Sequence, residues 1–207
     1  MPKKVDHEAR RQEIAEALWR IATARGLDDV SLRDVAAEAG ISLGRLQHYF
    51  RSKDEMLLFA LRHVNVLAER RIRERIEGAA VARGRAPGAR ELLRECLLGL
   101  LPLDEHSRVG NLVGVAWLAR AMHDERLAAE AREGVPALTA FLGDLARAAR
   151  AEAGTDEGAG GSGVGAAAEG ALLLATVDGL TTYTLLGVHT PDEAVALLDA
   201  HLARVLA

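Results

Sequence analysis

Between Ser31 and Phe50 two short runs carry apolar side chains at helical spacing. Each run follows a serine, and Gly40 stands between them. In the first run, residues 32–39, Leu32, Val35, Ala36 and Ala39 form the stripe. Ser31 and Asp34 make a capping box with Asp in the place of the usual Glu. Gly40 tolerates the left-handed backbone that ends a helix and reverses the chain. In the second run, residues 43–49, Ser42 is the cap, and Leu43, Leu46 and Phe50 form an inner face. Arg45, Gln47, His48 and Tyr49 then point elsewhere. Two such helices around a tight glycine turn read as a helix-turn-helix, the first bracing the second. The alternative, two ordinary capped helices in a bundle, does not account for the basic and aromatic residues on the outer face.

A reader helix of this kind lies in the major groove of duplex DNA. Arg suits guanine and Gln suits adenine, so Arg45, Gln47 and His48 are the candidate base readers. Tyr49, Lys53 and Ser31 are better placed as phosphate anchors, as are the backbone N–H groups where the two helices begin. The expected contact set is Ser31, Arg33, Ser42, Leu43, Gly44, Arg45, Gln47, His48, Tyr49 and Lys53.

The rest of the chain reads as all-α. Apolar residues make up 49% of it and aromatic ones only 3%, so Ala, Leu and Val supply the core. Ala and Leu favour helix, as do the abundant Arg and Glu. A first helix is expected from about Asp6 to Ala24, stopped by Gly26. Ser52 with Glu55 reads as a capping box opening a long fourth helix, roughly to Gly78. Its apolar face runs Met56, Phe59, Ala60, Val64, Leu67, Ile72 and Ile76. A break is expected at Gly84–Gly88, then helices near 89–101, 105–122, 124–153, 166–188 and 191–206. Pro136 should kink or break the third of these. Thr190 and Pro191 should open the last. Gly154–Gly165 reads as a flexible loop. The expected organisation is a DNA-binding domain over 1–52, a connecting helix over 53–77, and a sensing and dimerisation domain over 78–207.

Charge is segregated along the chain. Residues 1–75 carry 15 basic and 12 acidic side chains, the remainder 11 and 18, so a mildly basic start is joined to an acidic body. The single cysteine, Cys96, excludes an internal disulfide and fits a reducing compartment. The basic N-terminus is not followed by an apolar stretch, so no signal peptide is expected, and the location reads as cytoplasmic. The most apolar stretch, Ala166–Val188, contains Glu169 and Asp178 and reads as a helix buried in protein.

Residues 10–60 resemble the TetR family of bacterial regulators. The resemblance runs through Ser31-Leu32-Arg33-Asp34-Val35-Ala36, Ala39-Gly40-Ile41-Ser42-Leu43-Gly44-Arg45-Leu46 and Tyr49-Phe50-Arg51-Ser52-Lys53-Asp54-Glu55-Met56-Leu57. It implies three DNA-binding helices, a fourth that connects, and a helical ligand domain. It also implies repression of an operator, and a homodimer built from the helices near 166–188 and 191–206. Where family members often carry an aromatic residue, this chain has Gln47. The run Leu46-Gln47-His48-Tyr49-Phe50 is similar to a subgroup that includes choline-responsive regulators, as are Asp178-Gly179-Leu180 and Leu197-Leu198-Asp199-Ala200-His201-Leu202.

Within the second domain Trp117 is the foremost candidate for a ligand pocket, since a large aromatic side chain can line a cavity and face a cation. Asp178, in an otherwise apolar helix, needs a partner, either a cationic ligand or a group of the protein. Cys96, Asn111, Met122, Phe141 and Tyr183 complete the candidate lining. The histidines, seven in all, form no metal-ligand pattern, and no nucleophile elbow, phosphate loop or dinucleotide fingerprint is present. No cofactor or enzymatic activity is expected. The expected partners are double-stranded operator DNA, a small-molecule inducer and a second copy of the chain. The rival reading is a helical activator or architectural DNA-binding protein without a ligand.

Overall fold

The structure, a computed structural model, describes residues 7–26, 30–154 and 165–207. Among these the regular structure is entirely helical. In chain order it is α1 (His7–Arg25), α2 (Leu32–Glu38), α3 (Leu43–Tyr49), α4 (Lys53–Arg83), α5 (Ala89–Leu100), α6 (Glu105–Ala121), α7 (Glu125–Ala153), α8 (Ala166–Leu185) and α9 (Pro191–Val205). The expected Gly154–Gly165 loop falls almost wholly outside the described residues.

Two elements depart from expectation. Helix α4 runs past Gly78 to Arg83, because Ala79, Ala80, Val81 and Ala82 continue the helix until Gly84. Helix α7 is unbroken although Pro136 lies inside it. Proline removes one backbone hydrogen bond, but Leu142, Ala146 and Ala149 bury the turns that follow, and tertiary packing stabilises most protein helices. Thr139 Oγ1 donates to the carbonyl of Pro136 at 3.0 Å.

The chain divides into two compact units. One comprises Met1–Leu67 and Val109–Leu127, the other Ala68–Arg108 and Ala128–Ala207. The first is organised around Ile14, Leu18, Leu46, Phe50 and Met56, all fully buried. Val113 of α6 belongs to this core, with Val109 and Ala116 packed against it. The stretch Val109–Leu127, which lies within 78–207 in sequence, thus packs with the N-terminal helices.

The second unit is built on Leu93, Leu97, Leu142, Leu173 and Leu198. Here α7 and α8 approach until backbone meets backbone. A Cβ on Gly170 would lie 1.8 Å from the carbonyl oxygen of Thr139, and one on Gly143 would lie 1.8 Å from that of Ala166. Only glycine fits at either position. Ion pairs tie the remaining helices. Arg94 of α5 grips Asp199 of α9 with two hydrogen bonds, 2.6 and 2.8 Å, and Glu95 accepts from Arg75 of α4 at 3.0 Å. The Arg94 guanidinium holds the Asp199 carboxyl below the usual carboxylate range.

Candidate nucleic-acid interface

The two short helices are set by local hydrogen bonds. Ser31 Oγ accepts from the Asp34 N–H at 3.2 Å, and Asp34 accepts in return from the Ser31 N–H at 2.9 Å. This is the expected capping box. At the other end of α2 the N–H of Gly40 donates to the carbonyl of Ala37 and that of Ile41 to the carbonyl of Ala36, at 3.1 and 2.9 Å. Those two bonds are a Schellman closure. It requires a left-handed residue, and Gly40 has φ +66°. Ser42 Oγ then accepts from the Arg45 N–H at 3.2 Å and opens α3.

Helix α3 presents two contrasting faces. Leu46 and Phe50 are fully buried, whereas Gly44, Arg45, Gln47 and His48 are exposed. Ser31, Arg33 and Ser42 are exposed too, and Leu43 and Lys53 are half-buried. Three donors of suitable chemistry for base edges therefore stand on one short helix. A guanidinium can make a bidentate bond to guanine, and an amide can do so to adenine.

Tyr49 takes an unexpected position. It is only 9% exposed and belongs to the helix-turn-helix core. Its ring packs against His7 of α1, with centroids 4.8 Å apart, and against His48 at 5.5 Å. A tyrosine buried by its ring can still bring a polar tip to the surface.

Helix α1 also clamps the start of α4. Arg11 lies over the rings of Phe50 and Phe59, 4.7 and 4.4 Å from their centroids, and pairs with Glu55 at 3.3 Å. Glu55 accepts as well from the N–H of Arg51 at 2.9 Å, while its own N–H donates to Ser52 Oγ. The Ser52 cap therefore forms, with the Glu55 carboxylate reaching one residue further back than a capping box would take it. This clamp was not evident from spacing, because Arg11 and Phe50 lie far apart in sequence. Trp19 of α1 stacks on His63 of α4 at 5.1 Å. Burial holds the His63 imidazole below its ordinary value against the opposing pull of Glu16 and Glu8.

The candidate ligand residues do not share one unit. Asn111, Trp117 and Met122 lie in the unit of the N-terminal helices, and Cys96, Phe141, Asp178 and Tyr183 in the other. Trp117 is buried, and its indole N–H has no acceptor among the described residues. Asn111 is half-buried, and Met122, just beyond the end of α6, is 80% exposed. Cys96 is buried among α5 and its neighbours, and burial raises its thiol above the ordinary value. Phe141, Asp178 and Tyr183 are exposed on the surface of the chain. Partial desolvation pushes the Asp178 carboxyl above the usual carboxylate range.

A chain with two capped short helices around a glycine turn, the second with one face buried and the other exposed, continuous with further helices, is of the helix-turn-helix regulator class. The comparisons narrow the class. A family model described as bacterial regulatory proteins, tetR family, matches residues 14–59, and one described as BetI-type transcriptional repressor, C-terminal, matches residues 89–207. The chain belongs to the TetR family, in its BetI-type branch, and is a transcriptional regulator rather than an enzyme.

The chain is 38% identical to the HTH-type transcriptional regulator PksA of Bacillus subtilis over 135 residues, 65% of this chain and 62% of PksA. It is 29% identical to the regulator BetI of Brucella suis, with 98% of this chain and 94% of BetI covered. A crystal structure of a transcriptional regulator from Rhodococcus superposes with a TM-score of 0.77 at 30% identity, covering 95% of each chain. The same fold appears at 24% identity and a TM-score of 0.63 in a regulator from Saccharomonospora viridis, solved in complex with choline, covering 95% of this chain and 94% of that one.

Proposed function

We propose that the protein is a ligand-released repressor. A homodimer binds a palindromic operator in double-stranded DNA through α3 of each protomer, and a small-molecule inducer releases it. The observation that carries this reading is the division of α3: Leu46 and Phe50 are sealed inside while Arg45, Gln47 and His48 stand in solvent. In the proposed division of labour residues 1–52 read DNA, the helix from 53 to 77 carries the change, and residues 78–207 sense and dimerise. The inducer acts by binding the DNA-incompetent state more tightly than the competent one. In this reading the regulator works in the cytoplasm, and no described helix is long and apolar enough to cross a membrane.

The dimer reading rests on α8 and α9. Helix α8 buries Leu173 and Val177 on one side, yet Leu172 and Tyr183 are exposed on the other, as are Leu186 at its C-terminal cap and Leu197 of α9. A helix apolar all round is normally covered all round. A second copy supplies that cover, patch against identical patch. Replacing Leu172 and Leu186 together by Glu should convert the dimer to monomers in sedimentation experiments.

Selection of bound sequences from random duplexes tests the DNA reading. The recovered site should be palindromic, and Arg45→Ala should weaken it by about 1–3 kcal/mol while relaxing the preference at one position. Lys53→Ala should weaken binding to all sequences and lower the salt slope by about one. A dimer that ignores duplex DNA at low salt ends the proposal. For the inducer, choline is the first probe, because the chain resembles a choline-responsive subgroup and Trp117 offers a buried aromatic face with an unsatisfied N–H. Choline should quench or shift the Trp117 emission and lower operator affinity. If no metabolite does so, the ligand part of the reading falls.

A further inference from the structure

The helix-turn-helix motif does not include α1 among its readers, yet the structure brings one α1 side chain onto the outer edge of α3. His7, the first residue of α1, is exposed and has its ring 4.8 Å from that of Tyr49, tilted by 46°. Its centroid lies 6.2 Å from that of His48, nearly perpendicular, and His48 in turn meets Tyr49 edge-on at 5.5 Å. The three rings form one cluster, with the phenol covered and the two imidazoles outside. Arg45 and His48 are three residues apart and so share a side of α3. His7 is seated against that same side. Any polyanion that lies along Arg45 and His48 therefore also passes His7.

We infer that His7 belongs to the nucleic-acid interface, donating an imidazole N–H to a backbone phosphate next to the ground read by α3. The inference rests on the DNA-binding reading above. An imidazole carries an N–H donor in both of its protonation states, so the contact does not require a charged ring, although a charged one strengthens it. A phosphate bond carries no sequence information. Its effect is to fix the angle at which the reader enters the groove. The placement also gives a reason for the buried Tyr49: its ring is the platform on which His7 rests, between α1 and α3.

Fluorescence anisotropy on the full-length dimer distinguishes this contact from a purely structural ring. The probe is a duplex recovered by the selection described above, with a scrambled duplex of the same length beside it. His7→Phe keeps a ring against Tyr49 but has no donor. It should bind both duplexes about tenfold more weakly, with unchanged thermal unfolding. His7→Lys loses the ring but puts a cation at the same edge. It should bind at least as well as the parent, with a salt slope steeper by about one per protomer. Should His7→Phe bind like the parent and His7→Lys bind worse, the ring is only a packing element and the inference is overturned. Arg45→Ala is the control on the underlying reading. If it weakens binding while both His7 variants match the parent, the inference alone fails. If Arg45→Ala is also without effect, the DNA-binding reading fails first.

Discussion

The two units of this chain are held together by different means. The helix-turn-helix unit uses large apolar side chains and short-range caps. Ile14, Leu46, Phe50 and Met56 fill its centre, and Ser31, Ser42 and Ser52 each satisfy an N–H three residues ahead. The other unit has its own core of buried leucines and adds to it small residues and distant partners. Gly143 and Gly170 let α7 and α8 touch through their backbones, and Arg94 reaches Asp199 across 105 residues of sequence. The difference teaches where each unit is vulnerable. Both lose stability when a buried side chain is cut back, but the second also loses it when volume is added where α7 and α8 touch.

The sharpest way to break that contrast is to add one branched side chain. Gly170→Val should place its Cβ inside the Thr139 carbonyl and cost about 3 kcal/mol or more. Circular dichroism on heating should show early loss of part of the helix signal. An unchanged melting curve would remove the argument for close approach. The opposite operation belongs to the first unit. Leu46→Ala empties a fully buried site and should cost about 2–5 kcal/mol in urea unfolding.

Smaller effects sharpen the comparison further. Ser31→Ala removes a cap on α2 and should cost about 1 kcal/mol, with operator binding reduced because α2 braces α3. Asp199→Asn breaks the bidentate pair between partly exposed side chains, so about 0.5–1 kcal/mol is expected. The sign with pH follows from the lowered carboxyl. Its contribution is complete above the ordinary carboxylate value and disappears as pH falls through the native one. Parent and Asp199→Asn should therefore converge in thermal stability in acid. Asp178 behaves in the opposite sense. Although the residue is exposed at the surface, its carboxyl is partly desolvated by its neighbours and so raised; the folded chain holds the proton more tightly, and stability falls as pH rises through the window between the ordinary and native values. Asp178→Asn should raise the melting temperature slightly at neutral pH and leave it unchanged in strong acid.

Much of the candidate interface was legible because its signals are local. A serine three residues before a helical N–H, a glycine after an apolar stripe, and apolar residues every third or fourth position all act within one or two turns. They predicted α2, the Gly40 turn and α3 with the correct buried face. Local signals predicted less well where a distant neighbour intervened. Tyr49 reads as an outward residue from the α3 periodicity, but His7 of α1 and the helix-turn-helix core enclose its ring. Pro136 reads as a kink or a break, and α7 runs through it without a break, held by its buried face. Val113 gives no sign in sequence of packing with the N-terminal helices, and Asp178 gives none of standing exposed at the surface.

The order of elements, the helical class and which face of α3 is left outward were written into residue spacing and capping, since those energies act between residues three or four positions apart. Which helices share a core, how closely α7 and α8 approach, and which apolar face of α8 stays uncovered were decided only in three dimensions. Those outcomes depend on atoms brought together across scores of residues, and no periodicity within one helix records the identity of its neighbour.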